Sequence, residues 1–224
     1  MTSGLDVPGQ TDGPGGPLRR PEVVPYIAAW KGERRMGLPV LDPFGRGIAF
    51  ADEVPEDRDS SGVLWARTSQ EPGAGRPVYN RVHARRQRRV MEELLCQVCA
   101  GPASRTDEGW LWLLHDDRDS EPRGWPEQVG ATHPPLCVPC ARLSVQLCPH
   151  LGEGAVAVRV ADPHAWGVYG ALYTPARDGS GGAEARSGVM VGYHDPAVAW
   201  VLAAQMVRLL RGCTLVELGD DGRP

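Results

Sequence analysis

Lysine is nearly absent from this chain. Lys31 is the only one among 24 basic residues, and arginine supplies the rest. Asn80 is the only asparagine, and Ile27 and Ile48 are the only isoleucines. Ala, Arg, Gly and Pro fill the gap, which is the residue usage of a high-GC genome, so a run of arginines carries less functional weight here than elsewhere. No stretch approaches the roughly 18 consecutive apolar residues that a membrane span needs, so no membrane partner is expected. The N-terminus lacks a basic region followed by an apolar stretch, so no secretory signal is read and the expected location is cytoplasmic. Thiols stay reduced there, and paired cysteines serve metals in preference to disulfides. The formal net charge of -4 excludes a surface that attracts polyanions everywhere; a nucleic-acid role needs a local patch. The chain has no phosphate loop, no dinucleotide glycine fingerprint and no Gly-x-Ser-x-Gly elbow. The run Gly179, Ser180, Gly181, Gly182 follows no strong strand and opens no helix, so it reads as a linker.

What is present divides the 224 residues into four segments of an α+β protein. Residues 1–25 are rich in Gly, Pro, Thr and Asp and read as a disordered leader, because they offer too little apolar surface to offset ordering. Residues 26–80 are β-rich, with short strands expected at 47–51 and 62–67 and an acidic loop, Asp52 to Asp59, read as a solvated turn. Residues 81–151 hold an Arg-rich helix and a cysteine module. Residues 152–224 form an α+β segment that packs on the rest, with alternating strands at 155–160, 166–173 and 189–193. Within it the spacing predicts an apolar C-terminal helix over 196–211. Asp195 suits its N-cap, Pro196 its first position and Gly212 its stop. A final strand is read at 213–218.

The strongest signal is a pair of Cys-x-x-Cys sequences, Cys96/Cys99 and Cys137/Cys140, separated by 37 residues. Two thiolates at this spacing grip one metal from a tight turn, and four complete a tetrahedron suited to zinc. Gly101 frees the backbone after the first pair. Residues 109–115 read as a strand, and residues 141–147 as a helix opening on the second pair. Knuckle, hairpin and helix follow in the order of a treble-clef zinc module, and the expected cofactor is one structural zinc ion. Cys148 and His150 follow closely and could extend the ligand set, although Cys148 reads as a buried thiol at a helix end. Cys213 reads as a core thiol.

A helix is also expected over residues 80–95. Val82, Val90, Met91, Leu94 and Leu95 give it an apolar face, while Arg81, Arg85, Arg86, Arg88 and Arg89 crowd the remainder. These arginines form a stripe that could contact phosphates of DNA or RNA. The competing reading is a solvated face partly neutralised by Glu92 and Glu93.

Residues 85–142 resemble the HNH endonuclease family, in which an Arg-rich helix precedes a Cys-x-x-Cys knuckle, a hairpin and a second Cys-x-x-Cys that opens a helix. The resemblance covers about a quarter of the chain. The whole chain also resembles a family of uncharacterised actinobacterial proteins. The HNH resemblance implies a catalytic histidine near the end of the strand, which His115 with Asp116 would supply, in the reverse of the usual Asp-His order. It also implies a helix histidine after the second pair, where this chain has Ala141. A nuclease would need a second, open metal site, for which His115, Asp116, Asp117 and His133 are the nearby residues. Three functional expectations result. The first is a non-catalytic, zinc-stabilised protein on a degenerate HNH-like module that binds a nucleic acid or a protein. The second is an active HNH-type nuclease using His115. The third is an architectural zinc in a dimer whose seam is the apolar helix 196–211.

Overall fold

Two long antiparallel strands organise the chain in the computed structural model, which describes residues 23–42, 44–119, 124–148, 151, 154–176 and 182–218. From the N-terminal side come the short strands β1 (Ala28–Trp30), β2 (Arg35–Met36), β3 (Val40–Leu41), β4 (Ile48–Ala49), β5 (Leu64–Trp65) and β6 (Arg67–Thr68), then β7 (Pro77–Val82) and helix α1 (Ala84–Glu92). Strands β8 (Arg105–Thr106), β9 (Gly109–His115) and β10 (Gly130–Ala131) precede helix α2 (Val138–Leu147). The C-terminal region holds β11 (Ala155–Pro175), β12 (Ala183–Gly192), a 3-10 turn at Pro196–Trp200 and β13 (Val201–Val216).

β11 and β13 pair from Ala157 with Val216 to Leu172 with Val201, forming the spine of a seven-stranded sheet. One half of the outer edge of β11, Ala155 to Val160, takes β9; the other half, Gly167 to Pro175, takes β12. The far edge of β13 takes β5 in parallel at Leu202 and Ala203, and β10 in antiparallel at Arg208 and Leu209. The spine therefore joins the N-terminal segment at one end to the cysteine module at the other. Trp112, Val158, Val160 and Leu210 form a buried cluster in the sheet. Met91 and Ala84 of α1 pack with Val201, Ala203 and Met206.

The helix expected over 196–211 does not form. Asp195 does cap, its Oδ1 accepting from Ala197 N at 2.8 Å, and Pro196 opens the turn, but only a short 3-10 turn follows. Val201, Leu202, Ala203, Met206, Val207 and Leu210 are all buried in a central strand. A short run that is apolar on every side fits a helix interior and a doubly covered strand equally well. Here pairing along both edges of β13 decides for the strand. The apolar helix read as a dimer seam over 196–211 is therefore not present. Gly212, read as a helix stop, sits within β13 at φ +63, where a Cβ would lie 3.0 Å from the Ala161 Cβ.

The helix read over 80–95 is shorter. Asn80, Arg81 and Val82 belong to β7, because His83 stays extended and caps α1 through a 3.4 Å bond from Arg86 N to its Nδ1. The strands read at 155–160 and 166–173 are one strand, and the strand read at 213–218 is the end of β13. The acidic loop folds onto arginines: Asp57 and Asp52 hold Arg67, and Glu53 holds Arg58. The leader read at 1–25 falls, up to residue 22, outside the described residues, as do Gly179, Ser180 and Gly181. From Val23 the chain is described, and Tyr26 N and Ile27 N donate to Val98 O and Gln97 O of the first knuckle at 2.9 and 3.3 Å.

Candidate metal centre

Cys96 follows α1 directly. Leu94 turns the chain at φ +52, and Leu95 N still reaches back to Val90 O. Cys96 N then donates to Gly101 O and Ala100 N to Cys96 O, both at 2.8 Å, so residues 96–101 close into a tight turn. Ala100 takes φ +57 within it. The hairpin β8–β9 leaves this turn and returns Leu111 and Leu113 against Cys96. The second pair is brought up by Leu136, fully buried, whose N donates to Leu111 O and whose O accepts from Ser104 N, both at 2.9 Å. Gln97 N donates to Pro135 O at 3.1 Å and ties the two turns together. Cys137 is the N-cap of α2 and Cys140 lies in its first turn, where the helix dipole favours thiolate charge.

The sulfurs of Cys96, Cys99, Cys137 and Cys140 all lie within 4.8 Å of one another, and Cys99 to Cys137 is 3.9 Å. A tetrahedral ion with metal–sulfur bonds of about 2.3 Å sets its sulfurs about 3.8 Å apart. The cluster is thus within a small contraction of enclosing a metal ion, while 3.9 Å is far beyond a disulfide bond of about 2.05 Å. Cys96 is buried, Cys137 and Cys140 are half-buried, and Cys99 is exposed. Burial pushes the Cys96 and Cys140 thiols up. Burial also raises Cys99, but the Gly101 N–H and its neighbouring cysteines outweigh it and hold that thiol below its ordinary value. A metal bound here would therefore displace protons from Cys96 and Cys140.

Among the described residues this is the only group of three or more His, Cys, Asp or Glu side chains close enough to share a metal. His115 ends β9 exposed, with Nδ1 3.0 Å from Asp117 Oδ1. Asp116 faces Arg118, whose Nε donates to it at 2.7 Å and holds its carboxyl below the usual range. His133 is exposed, and its carbonyl accepts from Trp112 Nε1 at 2.8 Å. Cys148 caps the end of α2 and stands outside the cluster; His150 lies outside the described residues.

The five arginines of the expected stripe do not share one face. Arg86 is buried and grips Glu33 through Nη1 and Nη2 at 2.6 and 2.9 Å, with Ala28 O as a third partner. Arg88 pairs with Glu92 and lies over the Trp65 ring. Arg89 pairs with Glu93 and lies over Tyr26. Arg85 reaches the Gln70 amide, and Arg81, on β7, donates to Trp30 O at 2.8 Å. Sequence reading missed the buried polar residues that seat this helix, Glu33, Gln87 and Arg208, because their partners lie 45 to 119 residues away and leave no local pattern. Among the described residues no helix is long and apolar enough to cross a membrane. No family model matches the chain, and neither a curated protein nor a solved structure does so.

Proposed function

We propose that Cys96, Cys99, Cys137 and Cys140 hold one structural zinc ion in an HNH-like treble-clef module, and that the protein is a non-catalytic binder of a nucleic acid or a protein. The observation that carries this reading is the convergence of four sulfurs from two turns 37 residues apart, within 4.8 Å of each other. Zinc suits four soft thiolates in a tetrahedron, and four thiolates leave no open position for water. The turn at 96–101, the hairpin β8–β9 and the helix opening at Cys137 support the treble-clef reading. The non-catalytic reading rests on the surroundings of His115. Its sequence neighbour Asp116 is committed to Arg118, and His115 joins no group of three ligand side chains among the described residues.

Metal analysis of the purified chain tests the site, with about one zinc per chain expected. Cys96→Ser and Cys137→Ser should each lose the metal and unfold the middle of the protein, since the binding energy of a structural zinc is folding energy. A metal-free chain that melts like the zinc-loaded one would sink the site. Plasmid incubated with magnesium or manganese should stay intact; cleavage that disappears in His115→Ala would make the protein a nuclease.

A further inference from the structure

An exposed basic site lies away from the Arg-rich helix. β1 and β7 pair at Ala28 with Val82 and again at Ala29 with Val78, which leaves Tyr79, Asn80 and Arg81 with no residue opposite them. All three are exposed on the resulting bulge, Tyr79 at 46%. Bulges of this kind re-aim side chains and interrupt a strand edge. Beside this one opens a cleft of about 580 Å³, lined by Lys31, Arg76, Pro77, Val78, Tyr79 and Asn80.

Among the described residues the lining contains two cations and no carboxylate. Neither Lys31 nor Arg76 has an ion-pair partner among the described residues, in contrast to Arg46, Arg58, Arg67, Arg86, Arg88, Arg89, Arg118 and Arg211. Glu33, two residues from Lys31, is buried and taken by Arg86. Arg81, at the far end of the bulge, has a backbone carbonyl as its partner and no ion pair among the described residues. In a chain with net negative charge, unpaired cations gathered around an exposed ring and an amide mark an anionic, aromatic ligand.

We infer that this cleft binds a single-stranded segment of nucleic acid. Lys31 and Arg76 take backbone phosphates, the Tyr79 ring stacks on a base, and the Asn80 amide meets a base edge. Pro77 and Val78 give the floor an apolar surface against which a base can lie. Stacking on an aromatic ring with flanking cations is the usual means of holding single strands without strict sequence preference. An acidic peptide would also meet the charge, but adding a strand requires a continuous ladder of backbone groups, and the bulge at 79–81 breaks it. This assignment rests on the binding-protein reading above and names both its partner and its surface.

The test is fluorescence anisotropy of a labelled oligothymidine and a labelled oligouridine, with zinc-loaded full-length protein at low salt. Tyr79→Ala should weaken binding about fivefold or more, the loss expected for one stacked base. Lys31→Glu with Arg76→Glu should weaken it about tenfold or more, and should reduce the slope of log K against log salt by about 1.4, two single-strand phosphates' worth. Arg88→Gln with Arg89→Gln should stay within about twofold, because those side chains are paired on α1. All variants are first matched to wild type in zinc content and melting temperature. Oligonucleotide binding that survives the cleft substitutions and falls with the α1 pair would overturn the cleft and leave the binding reading standing. A folded, zinc-loaded wild type that ignores both oligonucleotides, or that binds polyglutamate through Lys31 and Arg76 instead, would overturn the nucleic-acid assignment itself.

Discussion

The fate of single side chains here is set by what they reach across the fold. Gln87 is fully buried, and its amide Nε2 donates to Thr132 O at 2.7 Å and Met206 O at 3.0 Å, while its Oε1 accepts from Met206 N at 2.9 Å. Met206 lies between the stretch of β13 that pairs β5 and the stretch that pairs β10. One side chain thus stands in for a missing strand. Gln87→Met should leave three backbone groups unpaired and destabilise the protein by about 2–4 kcal/mol in urea unfolding. Arg88→Gln, which breaks the partly exposed pair with Glu92 and the contact with the Trp65 ring, should change stability by about 1 kcal/mol or less. The two residues are neighbours in sequence, and nothing local tells them apart. The same holds for Arg86: it reads as one more arginine of a stripe until Glu33, 53 residues away, folds onto it.

At the scale of elements, strand β9 links the cysteine module to the spine. Gly109 begins it at φ +110, and a Cβ there would lie 2.0 Å from Val160 O of β11. Gly109→Ala must therefore push β9 away from β11 as well as strain the backbone. The loss should exceed about 1 kcal/mol, the scale of a positive-φ substitution alone. Gly62→Ala, at φ +81 with nothing within 4 Å of the new Cβ, supplies that comparison. Because β9 carries Leu111 and Leu113 against Cys96, Gly109→Ala should also weaken retention of a metal ion at the four cysteines in a competition with a chelating dye, while Gly62→Ala should not. A loss of equal size in both variants would contradict the strand clash. β9 and α2 were legible from the sequence, since a short apolar run bounded by Gly109 and His115 and a ligand pair opening a helix are local signals. β13 was not: its run from Val201 to Leu210 is largely apolar, so its period carries no information about helix or strand.

The whole molecule should respond to acid in two steps. His83 is buried with Nε2 3.2 Å from Ser69 O and Nδ1 accepting from Arg86 N, an arrangement that fits the neutral ring with its proton on Nε2. Burial pushes its pKa below the ordinary value, so the folded protein takes up this proton less readily than the unfolded chain. Its contribution is present above about pH 6.5 and is lost as pH falls below it. Glu33 and Asp57 are also held below their ordinary range: burial raises Glu33, but Arg86 outweighs it, and the Arg67 guanidinium lowers Asp57. Their contributions are present above about pH 4 and fade below it. Urea midpoints should therefore begin to fall below about pH 6.5 and fall more steeply below about 4, and His83→Ala should flatten the first limb. A chelator should lower the melting temperature and strip hydrogen-exchange protection first from residues 95–147. The pairing of Gly167–Leu172 with Leu202–Val207 should hold longest, because it lies at the opposite end of the spine from the cysteines.

Two features of this protein were determined by sequence alone: the four-cysteine cluster, and the turn, strand and helix that carry it. Spacings of two residues fix two thiolates in one turn whatever the rest of the chain does. The tertiary structure decided three other matters. It made 201–216 a central strand, it spent Arg86 and Arg88 on internal partners, and it left Lys31 and Arg76 without an ion-pair partner among the described residues beside the bulged Tyr79. Each of these depends on which distant residue arrives as partner. Helical period, caps and metal-ligand spacing act over a few residues, whereas sheet edges and ion pairs are settled only when chain segments far apart in sequence are packed together.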